Sequence, residues 1–208
     1  MEYTVDKLKE DLHNLEAKEF YKKYILKSNN WYFETVLSIP EKNVIDVMDD
    51  FKEIVSSNLD VDFNGVTMVG SGKLGYSLAP KKKFKQFELD TESENKSDID
   101  IAIVSPEIFD YFWRLLRQSF TIKDKYAYDF ISTEIYRGYL NESSLKKISE
   151  CRKEWQLLSS KCNKMLKSKL YFKHNITYRI YRNWKDFEEY NLISIKSAQR
   201  EVRKNEGF

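Results

Sequence analysis

The sequence predicts an α+β fold, a small mixed sheet with helices on one face and further helices flanking it. Three observations predict it. Residues 61–69 and 99–104 are short runs of strand length, the first β-branched and partly alternating, the second apolar. Segments around them repeat apolar residues at three- and four-residue spacing, the period of a helix. A further strand is expected over residues 171–181, between two helical stretches.

In chain order, residues 4–27 read as a helix with Leu8, Leu12 and Leu15 on one stripe. A second helix follows Ser38-Ile39-Pro40-Glu41, where proline suits a helix start. Its apolar positions are Val44, Ile45, Val47, Met48, Phe51 and Ile54, and Asn58 and Asp60 close it. The strand over 61–69 runs into Gly70-Ser71-Gly72-Lys73-Leu74-Gly75, rich in turn-compatible residues. Residues 79–96 are polar, basic first and acidic after, and read as a flexible insertion or hairpin. After the strand over 99–104, Ser105 is placed to cap a helix with Pro106 at its first position, running to Phe120.

Residues 124–140 suggest a helix carrying Phe130, Ile131, Ile135 and Tyr136. Residues 141–169 read as one longer helix with a stripe of Leu145, Ile148, Trp155, Leu158, Cys162 and Met165. The last helix begins near Trp184 and buries Phe187, Ile195, Ala198 and Val202. The expectation is one domain over residues 1–208, with helical elaborations over about 1–58 and 141–208.

Bulk composition narrows the class. Hydrophobic residues make up 41% and aromatics 15%, enough apolar area for a core and against disorder. A net charge of +2 does not by itself imply nucleic-acid binding. Cys151 and Cys162 lie about three turns apart in one predicted helix, beyond disulfide reach, and have no CxxC partner, so both are expected as reduced structural thiols. No apolar run approaches the roughly 20 residues that span a bilayer. The charged N-terminus lacks a signal-peptide core, and a cytoplasmic protein with no membrane partner is expected.

The chemistry lies in two motifs. Asp98 and Asp100 stand two apart in a predicted strand, so both side chains project from the same face. Adjacent carboxylates repel unless a cation lies between them, and hard oxygen donors suit Mg²⁺ or Mn²⁺ bound with substrate phosphates. A DxD pair alone otherwise reads as a solvated strand end. The glycine-rich turn supplies the complement: backbone amides at Gly70, Gly72 and Gly75, the Ser71 hydroxyl, and Lys73 or Lys81 to Lys83 for phosphate charge. The turn lacks the helix and spaced acidic residue of a dinucleotide fingerprint, and no GKS or GKT completes a Walker motif.

Together, Gly70-Ser71 and Ser97-Asp98-Ile99-Asp100 resemble the hallmark of the nucleotidyltransferase superfamily, the polymerase-beta-like group. That group includes small bacterial transferases, tRNA-modifying enzymes and synthases of signalling nucleotides in anti-phage defence. The resemblance covers residues 61–104. It implies that Asp98 and Asp100 bind Mg²⁺ as catalytic metal ligands and that Gly70-Ser71, with Lys73, hold the phosphates of an NTP such as ATP. It implies transfer of a nucleoside monophosphate to a hydroxyl of RNA, tRNA, a nucleotide or a protein, in defence or a toxin–antitoxin system. The alternative is an inactive module of this fold that binds nucleotide, RNA or a partner protein.

Two departures stand out. Asp98 follows Ser71 by 27 positions, longer than in the smallest members. The third carboxylate that active members carry on a later strand has no counterpart in His174–Tyr181, and Asp129, Glu134 and Asp186 are the remaining candidates. His174 and His13 are expected to be structural. The run Tyr171-Phe172-Lys173, Tyr178-Arg179, Tyr181-Arg182, Trp184-Lys185 reads either as an outward-snorkelling strand or as base-stacking residues beside phosphate contacts.

Overall fold

A computed structural model describes residues 4–205. Its elements in chain order are helices α1 (Val5–Asn14), α2 (Ala17–Phe20) and α3 (Val44–Leu59), strand β1 (Val66–Val69), helix α4 (Gly70–Leu74), strand β2 (Asp98–Val104), helices α5 (Pro106–Gln118) and α6 (Lys125–Tyr136), strand β3 (Tyr139–Asn141), helices α7 (Glu142–Leu145) and α8 (Ser149–Lys169), strand β4 (Asn175–Tyr181) and helix α9 (Trp184–Asn205). The four strands form one mixed sheet in the order β1-β2-β4-β3, so the fold is α+β as expected. β3 and β4 are antiparallel, with Leu140 opposite Ile180 and Asn141 opposite Arg179.

Contacts group the chain into two compact units. The first holds residues 4–48, 68–100 and 188–205 of the described chain; the second holds 49–67 and 101–187. Each of the four crossings falls inside an element: α3, β1, β2 and α9.

In the first unit, the expected helix over 4–27 is broken at Leu15-Glu16. Thr4 caps α1 through the amide of Lys7, and Glu16 forms a capping box with Glu19 that starts α2 afresh. The chain then widens into π-helical turns over Tyr21–Leu26 and again over Tyr32–Val36. Leu8, Leu12, Phe20, Tyr24 and Ile25 are buried, and Asp11 is buried with them. Lys23 and Tyr24 both donate to the Asp11 carboxylate, the Tyr24 hydroxyl at 2.5 Å. Gln199 of α9 donates from Nε2 to the carbonyls of Leu12 (3.0 Å) and Leu15 (2.9 Å), where the break leaves them without helical partners.

In the second unit, Ser105 caps α5 by accepting from the amide of Ile108 at 3.2 Å, with Pro106 in the first turn, as the sequence predicts. The expected strand over 61–69 is only Val66–Val69, because a single 3₁₀ turn occupies Phe63–Gly65. The expected helix over 141–169 is also two helices, and Asn141 instead ends β3. The buried face of α8 is Cys151, Trp155, Ser159, Cys162 and Leu166, rotated from the expected stripe, so Leu158 and Met165 lie at its edge. Trp155 packs edge-on to Phe112 and Tyr178. Phe130 and Tyr136 lie exposed on α6, whose inner face is Ile131 and Glu134. Both cysteines are free and buried in α8, and burial pushes the Cys151 thiol up to about 11, so it stays protonated and inert.

Candidate functional site

β1 ends where α4 begins, and Gly70 at that junction has φ +68°, a conformation that costs other residues strain. β2 brings Asp100 directly over it. A Cβ on residue 70 would overlap the Asp100 carboxylate oxygen, with Cγ only 3.3 Å away. The Gly-Ser turn and the Asp-Ile-Asp strand, 30 residues apart in sequence (100 − 70), are therefore packed backbone against carboxylate. Asp98 and Asp100 are half-exposed and alternate with buried Ile99 and Ile101, so both carboxylates share the open face of β2.

Ser71 follows in the first turn of α4, half-exposed. The later glycines of the turn have other tasks. Gly72 is buried, its Cα facing Met68, Phe87 and the backbone of Ile99. Gly75 ends α4 in the left-handed region (φ +80°), where a Cβ would come within 3.0 Å of the Trp31 indole. Close packing thus confines Gly72 and Gly75, and Gly70 is the glycine that meets the Asp100 carboxylate.

Lys73 also departs from expectation. It is 1% exposed, and its ammonium donates to the Lys27 carbonyl at 2.7 Å. Its nearest assigned role is to tie α4 to the turn that follows the first π-helical segment. The basic Lys81, Lys82, Lys83 and Lys85 are exposed. They lie on an excursion that closes on itself: Phe87 donates to the Gly75 carbonyl at 2.8 Å, Ser77 to the Lys85 carbonyl at 2.9 Å, and Tyr76 bridges Gln86. Phe87 anchors the return against the Trp31 and Tyr32 rings. Ser97, the first residue of the Ser-Asp-Ile-Asp motif, accepts from the Glu88 amide at 2.9 Å. The extra residues between the motifs are thereby looped out, and the strand re-enters in register beside Gly70.

None of the candidate third carboxylates joins a metal cluster. Among the described residues no group of three or more His, Cys, Asp and Glu side chains is placed to hold a metal ion. Glu134 is buried and accepts from the Asn141 amide (3.0 Å), the Asn141 side chain (2.5 Å) and the Ser144 hydroxyl (2.8 Å). Asp186 pairs with Arg182 at 2.9 Å. Asp129 is exposed on α6. β4, the sheet neighbour of β2, offers half-exposed Thr177 and Arg179 and no acid.

This donor set fits one kind of cation. Two carboxylates without a third protein ligand suit a hard ion that keeps water and takes its remaining ligands from phosphate oxygens, as Mg²⁺ does. They do not suit an ion caged wholly by protein. Among residues that the sequence did not single out, Trp31 and Phe87 shape the turn. Asn30 approaches the strand that leads into it, its Nδ2 donating to the Met68 sulfur at 3.3 Å. Trp31 and Phe87 are signalled in the sequence only by aromatic character outside any periodic stripe, and Asn30 by nothing. His174 is buried, as expected of a structural histidine. Comparison with known proteins returns no matching family model, no matching curated protein and no matching solved structure.

Proposed function

We propose that the chain is a metal-dependent nucleotidyltransferase acting on an NTP. The observation that carries this reading is the packing of the Asp100 carboxylate on the bare backbone of Gly70, which joins the turn and the carboxylate pair into one site. Asp98 and Asp100 hold Mg²⁺ or Mn²⁺, which supplies positive charge against the phosphates. Gly70 and Ser71 position the phosphate chain, the amides and the hydroxyl donating to its oxygens. In the transfer, an acceptor hydroxyl oxygen forms a bond to the α-phosphorus. The bond from the α-phosphorus to the bridging oxygen breaks, pyrophosphate leaves, and the hydroxyl proton passes to solvent or a base. The acceptor classes are RNA (tRNA included), a nucleotide or a protein.

The test has two readouts. Thermal unfolding with Mg²⁺ alone, ATP alone and both together reads binding; stabilisation that needs both, and is lost in Asp98→Asn and Asp100→Asn, supports the site. Incubation with each labelled NTP, Mg²⁺ or Mn²⁺ and total cellular RNA or protein reads transfer. Unchanged turnover in both aspartate variants sinks the mechanism.

A second reading has its own support. The absence of an acid from β4 favours a nucleotide-binding module of this fold that binds without turnover and serves an RNA or protein partner. Binding that depends on Asp98 and Asp100, with no labelled product from any NTP, selects it.

A further inference from the structure

The chain carries nearly equal charge overall, 35 Lys and Arg against 33 Asp and Glu, yet that charge is strongly segregated. Residues 155–185 contain eight Lys and Arg and no acid, leaving 27 basic against 33 acidic residues elsewhere. In the second unit three of them, Lys161, Lys164 and Lys167, lie on the outer face of α8, joined by Lys153, which precedes the acid-free stretch. Cys151, Trp155, Ser159, Cys162 and Leu166 mark its buried side. At 100° per residue, Lys153, Lys161, Lys164 and Lys167 fall on the opposite side, along about 21 Å of helix. All four are exposed. Among the described residues no ion pair reaches any of them, whereas Lys146 and Arg182 in the same unit are paired with Glu142 and Asp186. Lys169 is set apart from the face, because it lines a cavity with Asp50 and Glu53.

The helix ends on a residue in the left-handed region. Tyr171 follows the helix with φ +57° and is 72% exposed, and Lys173 beside it is exposed as well. The left-handed turn at Tyr171 closes the helix, the Phe172 amide donating to the Leu166 carbonyl at 3.5 Å, and leaves the Tyr171 ring in water. The expected base-stacking run is thereby pared down: Phe172, Tyr178 and Tyr181 are core residues, and Tyr171 and Trp184 are its exposed rings.

We propose that the outer face of α8, with Tyr171 at its end, binds single-stranded nucleic acid. A row of unpaired ammonium groups tracks a phosphate backbone and releases its counterions, and an exposed ring stacks on a base. The face offers a membrane only the single exposed apolar side chain of Leu157, too little to insert. This inference does not rest on the Asp98–Asp100 reading, and its test uses no NTP.

The experiment is fluorescence anisotropy of the full chain with labelled U-rich RNA and T-rich DNA of about 20 nucleotides, repeated across a salt series. Five lysines on phosphates predict a log–log salt slope of about −3.5 for a single strand. Replacing Lys153, Lys161, Lys164 and Lys167 together with Gln should weaken binding at least tenfold and remove about 3 from that slope. The exposed positions leave the fold intact, which an unchanged melting temperature verifies. Tyr171→Asn keeps a residue tolerant of the left-handed region and should cost about tenfold on single strands, with less effect on duplex. The proposal is overturned if the quadruple variant binds as tightly as the parent. Equal affinity of the parent for polyglutamate or for phosphatidylserine vesicles overturns it too. Tighter binding of one oligonucleotide identifies RNA or DNA as the ligand and supports it.

Discussion

Gly70 and Asp100 form a pair in which one residue's missing side chain makes room for the other's charge. Gly70→Ala should therefore cost about 1–2 kcal/mol for its φ of +68° alone, and more for the overlap with the carboxylate. Asp100→Ala removes that overlap. The double variant is expected to be more stable than the two single losses predict, by about 0.5–3 kcal/mol in a urea-denaturation cycle. Additive losses would mean that the two groups do not touch. A second residue-scale expectation concerns Asp11. Burial alone would raise its carboxyl, but hydrogen bonds from Lys23 and Tyr24, together with the charges of Lys23 and Lys7, outweigh it and hold it below the ordinary value of 3.8. A carboxyl depressed on folding stabilises fully above its unfolded value and loses that contribution as pH falls through the folded one. The urea midpoint should thus drop as pH is lowered below about 4, and Asp11→Asn should flatten that acid limb.

The start of α5 was legible from local chemistry, whereas the breaks that precede α2 and α8 were not. Ser105-Pro106 announces α5 because a hydroxyl acceptor and a fixed φ act within one turn. The breaks at Leu15-Glu16 and at residues 146–148 were invisible because apolar spacing runs on across both. Phe130 and Tyr136 look like core residues by composition, yet α6 turns Ile131 and Glu134 inward. At the site, Gly70, Ser71, Asp98 and Asp100 could be read from their motif. The burial of Lys73 could not, because its partner carbonyl at Lys27 lies 46 residues away. Gln199 shows the same limit at the scale of an element. It caps α1 and the chain beyond it from α9, 187 residues after Leu12. Gln199→Met keeps the bulk and removes both hydrogen bonds, and should lower stability by about 2 kcal/mol in chemical denaturation. A loss below about 0.5 kcal/mol would assign the junction's stability to apolar packing instead.

The whole chain passes between its two compact units in the middle of α3, β1, β2 and α9, never in a linker. A protease needs several residues of extended, accessible backbone, which a helix or strand interior withholds. Limited trypsin digestion should therefore cut first within residues 81–85, where four lysines are exposed, and should not release either unit as a fragment. Early fragments ending near Met48, Thr67 or Asp100 would contradict this division of the chain. The same interleaving has a consequence for synthesis. α1 leaves the ribosome nearly 200 residues ahead of Gln199, so at about 5–20 residues per second it waits roughly ten to forty seconds for its cap. Through that interval the carbonyls of Leu12 and Leu15 go without their donor from α9, so the junction of α1 and α2 is completed only late in synthesis.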